Sequence, residues 1–178
     1  MKTLLVIDIQ NDYFPGGRFA LWDADATLDR TLAAIALARA QAVPVVIVQH
    51  VADATLGPAP FFEAGTKGVE VHPRVLAAAP DAPIVVKRFA DSFVDTTLAA
   101  TLAKLGTTEL LVCGMMTQNC VTHTAISRSA ERYDVKILPD CCTTVSEVLH
   151  LIALHAVSTR TRRVPSSEAL VTVKPNLT

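Results

Sequence analysis

Three residues with the makings of a catalytic set fall at comparable places in this chain: Asp8, Lys87 and Cys120. Cys120 follows the apolar run Leu110-Leu111-Val112-Cys113 and Gly114, and precedes a stretch of helical period from Val121 to Arg132. That order reads as strand, sharp turn, helix start. A thiol at a helix N-terminus lies at the positive end of the macrodipole, which favours thiolate. Asp8 interrupts the apolar run Thr3–Ile9, where a carboxylate is expensive without a partner or a task. Lys87 closes a third run, Ile84-Val85-Val86. Singly, each has an ordinary use: Asp8 is evenly balanced between structure and function, Lys87 is a solvated strand end, and Cys120 is a small buried hydrophobe. Jointly they fit nucleophilic attack on an amide carbonyl. Lys87 and the helix end would lower the thiol pKa from about 8.5. Asp8 would take the thiol proton, pass it to the leaving amine and then activate water. Asp8→Asn is expected to lower turnover by orders of magnitude and leave folding intact or improved, since a buried charge is removed.

Positioning such residues needs strand ends. Strand-like runs fall at Thr3–Ile9, Val43–Gln49, Pro83–Lys87, Glu109–Gly114, Val135–Pro139 and, weakly, Arg162–Pro165. Helical periods fall at Ala24–Gln41, Thr96–Leu105, Val121–Arg132 and Val145–Val157. Near-continuous apolar strands joined by helices imply a parallel sheet covered on both faces. Right-handed crossovers then suggest a three-layer, doubly wound α/β fold with a mostly parallel six-stranded sheet, for which the order 3-2-1-4-5-6 is one of those open to it. In that order strands 1 and 4 are neighbours at the switch point, where ligands bind beyond the carboxyl ends. The long connection His50–Pro80 is rich in Pro and Gly, and its length marks it as functional or mobile. Eight of the nine aromatics precede residue 94, all after strands 1, 2 and 3. Several are expected to wall a pocket.

These segments carry a resemblance. Asp8-Ile9-Gln10-Asn11-Asp12-Tyr13-Phe14 resembles the Asp-x-Gln-x-Asp-Phe opening of the isochorismatase-like cysteine hydrolases. Lys87 to Phe93 resembles their Lys-x-x-x-Ser-x-Phe segment, and Gly114 to Val121 their Gly-x-x-Thr-x-x-Cys-Val turn. Gly65-Thr66, Gly68, Glu70 and His72-Pro73 are similar to the loop before the lysine strand. The match runs in the family's order from about residue 3 to about residue 145. It implies Asp8, Lys87 and Cys120 as the catalytic triad. It implies an oxyanion hole from the N–H groups of Met116 and Cys120, with a cis peptide between Met115 and Met116. Gln10, Phe14, Phe89 and Thr117 become the substrate-binding candidates. The implied activity is hydrolysis of a C–N bond in a small amide, lactam or ureide through a thioester. An isochorismatase-type vinyl-ether hydrolase is the alternative, although those members generally lack the cysteine. A non-catalytic thiol-sensing or binding member is a third reading, against which the intact Asp8 and Lys87 argue.

Composition narrows the rest. A length of 178 residues and 51% hydrophobic content suit one domain over 1–178 with a large core. Sixteen basic and seventeen acidic side chains leave a formal charge of −1. The short basic patch Arg160-Thr161-Arg162-Arg163 has no interleaved aromatics, so nucleic acid is not expected as a partner. The apolar stretch from Leu32 is cut by Arg39, Gln41 and Pro44, so no membrane association is expected. Met1-Lys2-Thr3 runs straight into a strand, and four cysteines lack framework spacing, so a cytoplasmic setting with reduced thiols is expected. Cys113, Cys141 and Cys142 are read as packing. Some similar proteins bind zinc through an Asp-x-His pair after strand 2. Here that segment is Gln49-His50-Val51-Ala52-Asp53, so neither metal nor another cofactor is expected. The partner is a small-molecule substrate, with a homo-oligomer, dimer or tetramer, implied by the resemblance.

Overall fold

The computed structural model describes residues 1–171. Its centre is a six-stranded, all-parallel sheet in the order β3-β2-β1-β4-β5-β6. The strands are β1 (Lys2–Ile7), β2 (Val45–His50), β3 (Ile84–Lys87), β4 (Glu109–Met115), β5 (Asp134–Thr143) and β6 (Arg162–Arg163). The helices are α1 (Ala24–Ala40), α2 (Pro73–Ala78), α3 (Leu98–Lys104), α4 (Thr122–Ala125), α5 (Glu147–Ala156) and α6 (Ser166–Ala169). The expected topology holds because β1, β2 and β4 each carry a continuous apolar stretch buried on both faces, residues 4–7, 45–48 and 110–113, which only a doubly covered sheet allows. Leu4, Leu5, Val6 and Ile7 have no exposure, nor do Leu110, Leu111 and Val112 beside them.

Four boundaries differ from the sequence reading, each for a physical reason. β1 ends at Ile7, because Asp8 takes a left-handed conformation (φ 52°) and turns the chain at the sheet edge. β5 does not stop at Pro139. Val112 pairs with Ile137 and Gly114 with Cys142, so β5 bulges around the proline, which has no N–H for the ladder, and resumes. The expected helix Val121–Arg132 is a π turn, Thr117–Val121, continuing into α4, and a separate 3-10 turn at Arg128–Ala130 capped by the Ser127 hydroxyl. The long connection after β2 carries α2, begun by Pro73 at its first turn with the His72 ring accepting from Arg74 N–H.

Candidate active site

β1, β2, β3 and β4 end side by side, and each end brings one reactive side chain. β1 hands over to Asp8, β2 ends on His50, β3 on Lys87, and β4 leads through Gly114 to the turn bearing Cys120. In the β2–β3 register His50 lies directly beside Lys87. Gly114 has φ +124°, and a Cβ there would sit 2.0 Å from the Ile7 carbonyl oxygen. Only glycine lets β4 pass this close to β1 at the switch point. The peptide between Met115 and Met116 is cis.

Asp8, Lys87 and Cys120 converge in a buried cluster. Lys87 Nζ stands 2.8 Å from Asp8 Oδ2 and 3.1 Å from Cys120 Sγ. It also lies 3.0 Å from His50 Nδ1 and donates to the Phe89 carbonyl at 3.1 Å. Asp8 faces the ammonium as an ion pair, yet neither of its oxygens has an aligned hydrogen bond. Burial works against the Lys87 charge, but Asp8 and Cys120 outweigh it and hold the ammonium above its ordinary range. The Cys120 thiol is pushed well up, first by burial and then by the Asp8 charge, with Lys87 opposing. This runs against the expected downward shift: burial and the Asp8 charge favour the protonated thiol, and Lys87 only partly offsets them.

The cluster opens onto a cavity of about 380 Å³ lined by Tyr13, His50, Phe61, Phe62, Asn119 and Cys120, with Arg88 among its other walls. The aromatic wall is tightly interlocked, with Tyr13 and Phe62 centroids 4.5 Å apart and Phe61 edge-on to Phe62 at 5.0 Å. Asp12 sets this wall in place. Its carboxylate accepts from Phe62 N–H at 2.7 Å and Arg18 N–H at 3.1 Å, which ties the long connection to the end of β1.

The four substrate-binding candidates lie elsewhere. Gln10 has no exposure and spends its amide on the framework. Its Nε2 donates to the carbonyls of His50 and Val69, and its Oε1 accepts from His50 N–H. Phe14 is buried against His72, with centroids 4.6 Å apart, and Tyr13 takes the pocket position. Phe89 is exposed and lines an adjoining groove with Val86 and Val94. Thr117 is fully buried, and its hydroxyl bonds His150 Nδ1 at 2.9 Å, bracing the Cys120 turn from behind. The reason is common to three of them. These motif residues hold the loops that carry the site, and a motif alone does not separate the residue that touches a ligand from the one that holds it. Tyr13, Phe61, Phe62 and Asn119 are pocket residues that sequence reasoning left without a particular role, and the aromatic crowding after strands 1 and 2 was the available signal for the first three.

A divalent metal does not fit this site. Asp8, His50 and Cys120 each offer a ligand atom, all within 4.8 Å of one another. Lys87 Nζ already stands against all three, and an ammonium there repels a second cation. Asp53 instead bonds Thr55.

A buried acid, lysine and cysteine at the switch point of a 3-2-1-4-5-6 sheet define a class, and sequence comparison agrees. Residues 2–169 match the isochorismatase domain, and the chain belongs to the isochorismatase family of hydrolases. It is 36% identical over 144 residues to the uncharacterized isochorismatase family protein YddQ of Bacillus subtilis, covering 81% of this chain and 78% of that protein. It is 32% identical over 190 residues to a streptothricin hydrolase of Streptomyces noursei, covering 99% of this chain and 67% of the other. Among solved structures, an isochorismatase hydrolase from Oleispira antarctica superposes with a TM-score of 0.83 at 31% identity, covering 95% of both chains.

Proposed function

We propose that this hydrolase is a cysteine amidohydrolase, cleaving a C–N bond of a small amide, lactam or ureide through a thioester on Cys120. The observation that carries the reading is the burial of the Asp8 carboxylate and the Cys120 thiol against one ammonium, with Lys87 Nζ 2.8 Å from Asp8 Oδ2 and 3.1 Å from Cys120 Sγ. As the Cys120 sulfur bonds to the amide carbon, its proton passes to Asp8. The developing oxyanion is taken by the N–H groups of Met116 and Cys120, a contribution of about 10²–10³ in rate per donor. Collapse breaks the C–N bond, and Asp8 returns the proton to the departing nitrogen. Water then gives a proton to Asp8 and attacks the thioester, releasing the carboxylic acid. The thiolate leaving at that step recovers its proton from Asp8. Lys87 pairs with the Asp8 carboxylate at 2.8 Å and offsets the negative charge on sulfur throughout. The cavity of about 380 Å³ suits a small, partly aromatic or apolar substrate.

The test is a screen of small amides, lactams and ureides with wild-type protein and Cys120→Ala, with intact mass measured during turnover. An acyl adduct on the wild type and loss of activity in the variant are expected. Ether cleavage that survives Cys120→Ala, with no amide turned over, would replace this reading by the vinyl-ether one. Dialysis against a chelator should leave turnover unchanged. Zinc that copurifies, and whose removal and return switch activity off and on, would overturn the metal-free mechanism.

A further inference from the structure

His50 has a donor that the mechanism above leaves unused. Its main chain is clamped on both sides by Gln10, whose Nε2 donates to His50 O and whose Oε1 accepts from His50 N, each at 2.8 Å. Its side chain lies next to Lys87 in the parallel register, with Nδ1 3.0 Å from Nζ. An ammonium has only donors, so Nδ1 accepts and carries no proton. Burial, then the Lys87 charge, hold the ring below its ordinary pKa of 6.5, so it is neutral at neutral pH. Its single proton therefore sits on Nε2. That atom has no hydrogen-bond partner among the described residues, and the ring lines the cavity together with Cys120 and Asn119. One ring nitrogen lies within 4.8 Å of Cys120 Sγ. Phe62 packs against the ring at 5.9 Å, which limits its rotation.

The ring that carries this donor lines the cavity together with Cys120, within reach of groups bonded to the scissile carbonyl, while the carbonyl oxygen itself goes to the backbone amides. We propose that His50 is a specificity-determining residue whose Nε2–H binds a second carbonyl oxygen beside the scissile C–N bond, so that the site takes acylureas and imides ahead of simple amides. A substrate without that oxygen leaves the donor desolvated and unpaired, which discriminates by about 10- to 100-fold. The inference rests on Cys120 being the nucleophile.

The experiment needs no turnover. Cys120 alkylation by N-chloroacetylurea and by chloroacetamide is followed by peptide mass, and the ratio of the two rates is compared with the ratio for free cysteine. In wild type the ratio should exceed the free-cysteine value by about tenfold or more. In His50→Asn, whose Oδ1 can take the place of Nδ1 toward Lys87 but whose shorter side chain brings no donor to the cavity, it should fall to the free-cysteine value. His50→Gln, whose Nε2 reaches the imidazole Nε2 position, should restore part of it. Equal ratios in wild type and His50→Asn would overturn the proposal, as would ¹⁵N shifts that place the His50 proton on Nδ1. Failure of both reagents to modify Cys120 would instead remove the nucleophile, and both readings with it.

Discussion

The Asp8 carboxylate has no exposure, and its near neighbour is the Lys87 ammonium at 2.8 Å. Read from sequence, neutralising Asp8 relieves a buried charge. The ion pair reverses that expectation, because Asp8→Asn leaves Lys87 buried without its anion. Breaking a buried pair from one side costs about 3–5 kcal/mol. Asp8→Asn should therefore unfold at markedly lower denaturant and lose turnover by about 10²–10⁴. Near-wild-type turnover would show that the proton travels elsewhere. At Cys120, iodoacetamide near neutral pH should modify this thiol ahead of Cys113, Cys141 and Cys142. All four are buried, but among them only Cys120 lines the cavity and has an ammonium at 3.1 Å. Preferential labelling of any other cysteine would sink the assignment.

Elements place these groups through a few close approaches. The end of β4 reaches the β1 edge only because Gly114 has no side chain, and the turn beyond it is held by Thr117 to His150 and by the Thr144 hydroxyl donating to Gln118 Oε1 at 2.5 Å. Gly114→Ala drives a methyl to 2.0 Å from a main-chain oxygen at a φ of +124°. It should destabilise the fold by at least about 3 kcal/mol, or abolish soluble expression. Gly106 is the matched control. Its φ is +63° but the space is open, so Gly106→Ala should cost only the local strain of about 1–2 kcal/mol. Similar denaturation midpoints for the two variants would show that backbone conformation, and not the β1–β4 approach, makes Gly114 necessary.

At the scale of the whole molecule, burial of titratable groups sets a window of stability. His50, His72 and His150 are held below their ordinary pKa of 6.5, with desolvation the leading cause for each. A depressed folded pKa contributes stability that is present above the unfolded value and is lost as pH falls toward the folded one. Below about pH 6.5 the fold should therefore weaken. The cysteines err the other way. Cys113, Cys120 and Cys142 are raised above their ordinary 9.0 by burial, and Cys141 is pushed up to about 12. A raised folded pKa contributes stability that is present below the unfolded value and fades as pH climbs toward the folded one. Thermal midpoints measured across pH should form a plateau from about 6.5 to 9 that declines on both sides. A midpoint still rising above pH 9 would contradict the burial of the thiols. Cysteine-to-serine variants would separate their share from that of Lys87.

The sequence by itself determined the class of fold and the three residues that stand at or just beyond strand ends, while the strand order that brings them together rested on the resemblance until the sheet showed it. Apolar runs that bury on both faces admit few arrangements, and Asp8, Lys87 and Cys120 each stand at the end of one. It also determined the absence of an Asp-x-His pair after β2. Tertiary structure decided what those residues do to one another. The thiol pKa depends on burial and on two opposing charges from other strands, and a helix start read from sequence supplied the wrong sign. Gln10 and Thr117 face protein and not the cavity, because the side on which a motif residue points depends on how loops from β1, β2 and β4 pack. The His50 tautomer is set by the lysine on the adjacent strand, 37 residues away in sequence. Spacing along a chain carries no record of such a contact, which exists only where the sheet register brings two strand ends together.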